Sequence, residues 1–210
     1  EKMTEIMAGH GIVVLAWGEN GFREVTNNVR PIKSPEDMKG LKMRVAGPMY
    51  IDVMDALGAN PQQMQWTETF SALQQGVVDG QENPIGAVIV PLRVYEVQKY
   101  ITDLRYLFSI EPLIVSEALF ESLSEDQQQQ VLAAGKAATQ ASSEFLRSEE
   151  SKIRDELVSR GMEITQPADD EKEFRDLATA AVWPQFYDQI GGKEVLDNVL
   201  TSLGREPAPQ

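Results

Sequence analysis

LKMRVAGPMYIDVMDALGANPQQMQWTETFSALQQGVVDGQENP, residues 41–84, is the stretch that decides the fold. Leu41, Met43 and Val45 alternate with Lys42 and Arg44, the period-two pattern of a half-buried strand, and Gly40 and Gly47-Pro48 bracket it as turn signals. From Pro48 to Leu57 the period becomes helical: Met49, Val53, Met54 and Leu57 share a face, and Gly58 stands where a C-terminal cap belongs. Pro61–Trp66 reads as a strand and ETFSALQQ as a helix with Thr67 as its cap, stopping at Gly76. VVDGQENP is a short apolar piece followed by a polar turn, and a further helix begins near Pro84, a favoured first-turn position. Short strand and helix units in alternation predict an α/β lobe.

Upstream, residues 3–9 are weakly helical. GIVVLAW predicts a buried strand, GENG (18–21) a turn and FREVTN (22–27) a second strand, followed by a loop in which Ser34 caps a short helical turn through Met38. Downstream, LRYLFSIEPLIV (104–115) predicts two strands joined around Glu111-Pro112. Ser124 and Gln127 form a capping box, and no proline interrupts the chain from there to Arg160. That helix, on the order of 55 Å long, exceeds the width of one small domain. Gly161 ends it, GMEITQP gives a short strand, Asp169 or Asp170 opens a helix that Pro184 kinks or restarts, and KEVLDNVLTSL forms the last helix.

The 210 residues include 19 Lys+Arg and 33 Asp+Glu, a net charge of −14. That balance disfavours nucleic acid and anionic membrane surfaces, which require excess basic charge. An acidic ligand is compatible only if the few cations are concentrated in one place. With 42% apolar residues the chain has the composition of a globular protein. Cysteine is absent and His10 is the single histidine, which excludes thiolate and histidine-rich metal sites, disulfides and thiol nucleophiles. No apolar run approaches the roughly 20 residues that span a bilayer. EKMTEIMAGH has neither the basic start nor the apolar centre of a signal peptide and reads as the interior of a helix, as though the chain began partway through a larger protein.

Arg44 is the first candidate site residue. It is a solvated strand residue or, being the last charged group of its strand, a cation aimed at an anion, since ligands of open α/β sheets bind at the carboxyl ends of strands. Arginine pairs bidentately with carboxylates. Arg23, on the preceding strand, shares its face with Val25 and Asn27 while Glu24 points away. Two arginines converging on one cleft require an anion between them. Asn83 is an N-cap, a group aimed across a cleft, or both. Trp66, like Phe108 and Trp17, is either partial core or the wall of a cleft. Glu82 and Asp79, read as turn carboxylates, are ordinary solvated groups or, in a rival enzyme reading, a base. No nucleophile–base arrangement, phosphate loop or apolar carboxylate pair stands out, which favours a receptor over an enzyme. An interaction module built on the long helix is disfavoured by Gly135 and the alanine-rich stretch 133–141.

NGFREVTN, PIKSPEDMKGLKMRV, ALGANPQQMQWTETFSALQQGVVDGQENP, YEVQKYIT and, more loosely, LSEDQQQQV together resemble the solute-binding proteins of TRAP transporters, the DctP-like periplasmic receptors. The likeness covers essentially the whole chain and is densest from Gly18 to Thr102. The run Glu68–Pro84 carries it most specifically.

The resemblance implies a two-lobed α/β, type II-like periplasmic binding protein whose long helix joins the lobes and which closes by hinge motion. It implies residues 1–21 as the remainder of lobe I, 22–108 in lobe II, 109–150 as the return to lobe I with the connecting helix, and 151–210 in lobe II with the C-terminal helices. Much of lobe I would precede the first residue. By resemblance Arg44 grips a ligand carboxylate, Arg23 is a second cleft arginine, Asn83 hydrogen-bonds the ligand, and Trp66 and Phe108 wall the pocket. The implied protein is a monomer without cofactor or metal. It takes a C4-dicarboxylate, sugar acid or oxo-acid to the TRAP membrane subunits.

Overall fold

A computed structural model describes residues 2–169 and 171–209. Seven α-helices and six strands are described: α1 (Lys2–Ala8), β1 (Ile12–Asn27), β2 (Lys42–Val45), α2 (Pro48–Ala56), β3 (Asn60–Gln63), α3 (Trp66–Gln74), β4 (Gly80–Pro84), β5 (Tyr100–Ser116), α4 (Glu117–Glu121), α5 (Glu125–Ser159), β6 (Glu163–Thr165), α6 (Lys172–Val182) and α7 (Lys193–Ser202). The strands form one mixed sheet in the order β3-β2-β4-β1-β5-β6. β2 runs parallel to β3 and β4, β1 antiparallel to β4 and β5, and β5 parallel to β6. This is an α/β fold with an apolar layer on each face of the sheet. One layer holds Val25, Met43, Val45 and Leu104 against Met54 of α2, Leu57 just past its end and Phe174 of α6. The other holds Val78, Ile89 and Ile101 against Leu73 of α3 and Leu157 of α5.

β1 and β5 are each one unbroken strand, of 16 and 17 residues. The turn expected at GENG is absent: Glu19 and Gly21 sit at a register shift in the β1–β5 ladder, with Gly21 at φ +91°. A glycine that permits a tight turn equally permits a bulge, and here the bulge lets the strand bend without ending. Glu111-Pro112 likewise lies inside β5, opposite Gly18 and Trp17. At about 3.3 Å per residue β1 reaches about 53 Å, nearly the same as the 35-residue α5 at about 1.5 Å per residue. The helix therefore lies along the strands: Gly135 abuts Leu15, Thr139 abuts Gly18, Arg147 pairs with Glu19 and Arg154 with Asp103. Its start matches the expected capping box, Ser124 with Gln127.

Two further expectations are corrected and a third is refined. α3 starts at Trp66, not after Thr67; Gln65 is the cap position, and the Thr69 hydroxyl donates to its carbonyl at 3.0 Å. The helix expected near Pro84 does begin there, with Pro84 at its N-cap, but it is a five-residue π-helix, Ile85–Ile89, and not a longer α-helix. DGQENP is not a turn: its last five residues are β4, buried throughout in the middle of the sheet. Of the two expected openings of α6, Asp169 accepts the Glu173 N–H at 2.8 Å, and Asp170 lies outside the described residues.

Candidate functional site

A central strand reading GQENP has no apolar side chain before its proline, so its place in the sheet rests on lateral polar bonds. Thr26 donates its hydroxyl to Gln98 Oε1 (2.8 Å), Gln81 Nε2 donates to Thr26 Oγ1 (3.0 Å), Asn83 Nδ2 donates to Gln81 Oε1 (2.6 Å), and Arg23 Nη2 donates to Asn83 Oδ1 (2.9 Å). Each of these side chains is buried, and a buried polar network is stable when its members are satisfied. Gly80 is required at the start of β4, because a Cβ there would lie 2.1 Å from the Thr26 carbonyl oxygen.

Glu82, fully buried, is the anion between the arginines. Arg23 Nε pairs with its Oε2, Arg23 Nη2 reaches Oε1 at 3.1 Å and the Glu82 carbonyl at 3.0 Å, and the Tyr106 hydroxyl donates to Oε2. Burial opposes the charge of Arg23, but the hydrogen bond and charge of Glu82 outweigh it and raise the pKa. Burial, then the charge of Glu82, lifts the Tyr106 phenol well above its ordinary range, so the hydroxyl remains a donor. Tyr50, the third residue of α2, places its ring 5.2 Å from the Arg23 guanidinium.

Arg44 stands differently. Strand β2 delivers it opposite Gln81 and Gln62, 4% exposed, with its guanidinium 5.3 Å above the Trp66 ring. Its Nε and Nη2 both donate to the Met64 carbonyl, at 3.2 and 3.0 Å. A guanidinium has five N–H donors, and the rest of those on Arg44 meet no acceptor among the described residues. None of the ion pairs among those residues includes Arg44. Burial first, then repulsion from Arg23, lowers its pKa against the opposing pull of Glu82. The result is a buried cation whose nearby carboxylate is already claimed by Arg23 and Tyr106. A carboxylate arriving from outside can take the remaining N–H groups in the bidentate geometry arginine favours.

The structure thus brings Arg44, Arg23, Asn83 and Trp66 together. Phe108 is elsewhere: it packs edge-on against Phe22 across the β1–β5 ladder at 5.0 Å and lines a pocket under α5. Arg23 donates to protein acceptors from Nε and Nη2, and both the oxygen and the nitrogen of the Asn83 amide have protein partners. The sequence reading passed over Tyr106 and Tyr50 and named Glu82 without its role as the counter-ion of Arg23. Only Glu82 carried a signal, as the carboxylate beside Asn83, and the turn assignment hid it.

The model of the DctP family, described as bacterial extracellular solute-binding protein, family 7, matches residues 1–190. The 2,3-diketo-L-gulonate-binding periplasmic protein YiaO of Escherichia coli is 34% identical over 84% of this chain and 53% of its own length. A TRAP periplasmic solute-binding protein from Polaromonas, solved with D-erythronate, superposes with a TM-score of 0.84 at 36% identity, covering 90% of this chain and 62% of that one. One from Roseobacter denitrificans, solved with L-galactonate, gives 0.83 at 34% identity with the same coverage. The chain spans between half and two thirds of the length of these relatives. On the match over residues 1–190, the chain belongs to the DctP family, the bacterial extracellular solute-binding proteins of family 7.

Proposed function

We propose that the protein is the periplasmic receptor of a TRAP transporter, binding a small organic acid by its carboxylate and delivering it to the membrane subunits. Arg44 carries this reading, as a buried cation with spare donors and no carboxylate of its own among the described residues. Trp66 supplies an adjoining flat wall. Among C4-dicarboxylates, oxo-acids and sugar acids we favour a sugar acid, because D-erythronate and L-galactonate in the neighbouring structures and the diketogulonate of the relative are hydroxylated monocarboxylates. Asn83 is then held by Arg23 and Gln81 in a fixed orientation at the cleft, where its amide can read a hydroxyl with its remaining hydrogen-bonding capacity.

Residues 22–108 and 151–210 make one lobe, with 1–21 and 109–150 belonging to a second. Both apolar layers draw their buried residues from the first set. The second set carries many exposed large apolar side chains, among them Ile110, Leu113, Ile114 and Phe145.

Calorimetric titration with D-erythronate, L-galactonate and succinate tests the reading. Arg44→Ala is expected to weaken acid binding by roughly two orders of magnitude or more, as removal of one partner from a buried charge pair does, with the melting temperature kept. Near-normal affinity in that variant would overturn it. A receptor also returns its ligand chemically unchanged after incubation, and conversion of the acid would instead place Glu82 in a catalytic role.

A further inference from the structure

A second pocket, of about 310 Å³, lies between the β1–β5 ladder and α5. That volume is at the lower end of the range for small-ligand sites. Phe22 alternates with Arg23 along an unshifted part of β1, so this pocket is on the face of the ladder opposite the Arg23–Glu82 pair. Its floor is the edge-on pair Phe22 and Phe108, and Leu146 and Ile153 of α5 form its roof. Three arginines line it. Arg147 pairs with Glu19, and Arg154 holds Asp103 through two bonds of 2.9 and 3.0 Å and reaches Glu150 at 3.4 Å. Arg105 is the third, and its guanidinium makes neither an ion pair nor a hydrogen bond to a described residue. It lies 4.7 Å over the Phe22 ring.

Arg105 is also strained. Its φ is +50°, in the left-handed region, where the Cβ of a non-glycine residue crowds its own backbone. A buried polar frame holds it there: its N–H donates to Glu24 Oε2 at 2.9 Å, Glu24 shares a hydrogen bond with Asp103, and Gln166 donates to Asp103 at 2.9 Å. Strain maintained by such a frame marks a side chain whose position matters. What it positions is an unpaired cation at the mouth of an apolar slot.

We propose that this pocket is a second ligand site, taking a small monocarboxylate with a flat apolar body. The carboxylate meets Arg105, and the body fills the slot between the two phenylalanines and the α5 side chains. The ligand class differs from that of the Arg44 cleft: here the body lies against the rings of Phe22 and Phe108 and the aliphatic Leu146 and Ile153, and the one amide on the lining, Asn20, donates to Glu111.

Benzoate is the probe, and benzamide its uncharged counterpart. Isotope-labelled protein is titrated with each while backbone amide shifts are followed. Benzoate is expected to give saturable shifts at Phe22, Arg105, Phe108 and Leu146, and benzamide to bind at least about tenfold more weakly, the loss of one charge-assisted contact. Arg105→Gly keeps the left-handed backbone accessible while removing the guanidinium, and it is expected to abolish the shifts. Ile153→Trp fills the slot with Arg105 in place and is expected to block them too. Arg44→Ala is expected to leave them intact, so this site and the sugar-acid reading fail separately. Absence of saturable shifts, equal binding of benzamide, or shifts that survive Arg105→Gly would each overturn the proposal.

Discussion

Replacing Glu24 by glutamine is expected to stabilise the protein above mildly acid pH. Glu24 is 2% exposed, and burial pushes its carboxyl up from 4.5 to about 8. The charge and hydrogen bond of Asp103 push the same way, against the Arg105 N–H and Arg154. Asp103 is lowered instead: burial works against its charge, and the bonds from Gln166 and Arg154 prevail. Folded Glu24 therefore keeps a proton, shared with Asp103, that the unfolded chain releases near pH 4.5.

The folded state binds more protons than the unfolded one between about 4.5 and 8, so stability falls as pH rises through that window, by up to about 1.4 kcal/mol per pH unit. For a protein of this size that is about 3–5 °C of melting temperature per unit. Glu24→Gln imitates the protonated form: its amide oxygen accepts the Arg105 N–H, its nitrogen donates to Asp103, and it does not titrate. Thermal unfolding of both proteins by circular dichroism, from pH 4.5 to 8.5 at constant ionic strength, isolates the effect, since every other group titrates in both. The curves are expected to lie close at pH 4.5 and to separate steadily toward pH 8, with the variant higher. Parallel curves, or a variant less stable throughout, would refute the shared-proton arrangement.

Glu82→Gln leaves Arg23 buried beside Arg44 without its counter-charge and is expected to cost about 3–5 kcal/mol, read as a lower urea midpoint; a loss below about 1 kcal/mol would mean that Arg23 finds other compensation. Gly80→Ala drives a Cβ into the Thr26 carbonyl oxygen and within 2.8 Å of Met43 Sδ. It is expected to cost at least about 3 kcal/mol or prevent folding, and a wild-type urea midpoint would contradict the close approach of β4 to β1. The Arg44→Ala titration described above completes the set for the cleft.

What was legible in the sequence was what neighbours in the chain decide. Strand β2, helix α2 with Gly58 beyond its end, and α5 with its Ser124–Gln127 box all depend on residues a few positions apart, and each formed as read. The failures came where distant residues decide. Gly21 looks the same in a turn and in a bulge; the partner strand, some 90 residues away, makes it a bulge. Glu82 read as a solvated turn carboxylate because nothing nearby in the chain satisfies it, whereas Arg23 and Tyr106 do so from β1 and β5. Arg44 was legible as a candidate from its place at a strand's carboxyl end. That Arg23 already had a counter-ion was not, because an argument from one strand's two faces omits the neighbouring strand.

The pairing of β1 with β5 also sets a schedule for the growing chain. β1 is complete at Asn27, yet its antiparallel partners are Gly80–Pro84 on one side and Tyr100–Ser116 on the other. At about 5–20 residues per second a ribosome needs roughly 5–20 s to supply the second of these. Until then the edge of β1 that β5 will cover stands open, and the other edge is covered only over Arg23–Asn27 once β4 has been made, so main-chain donors and acceptors remain available to another chain. No segment ending before Ser116 contains the whole of this ladder, so the nascent protein depends on being kept apart from its own copies until Ser116 has been made.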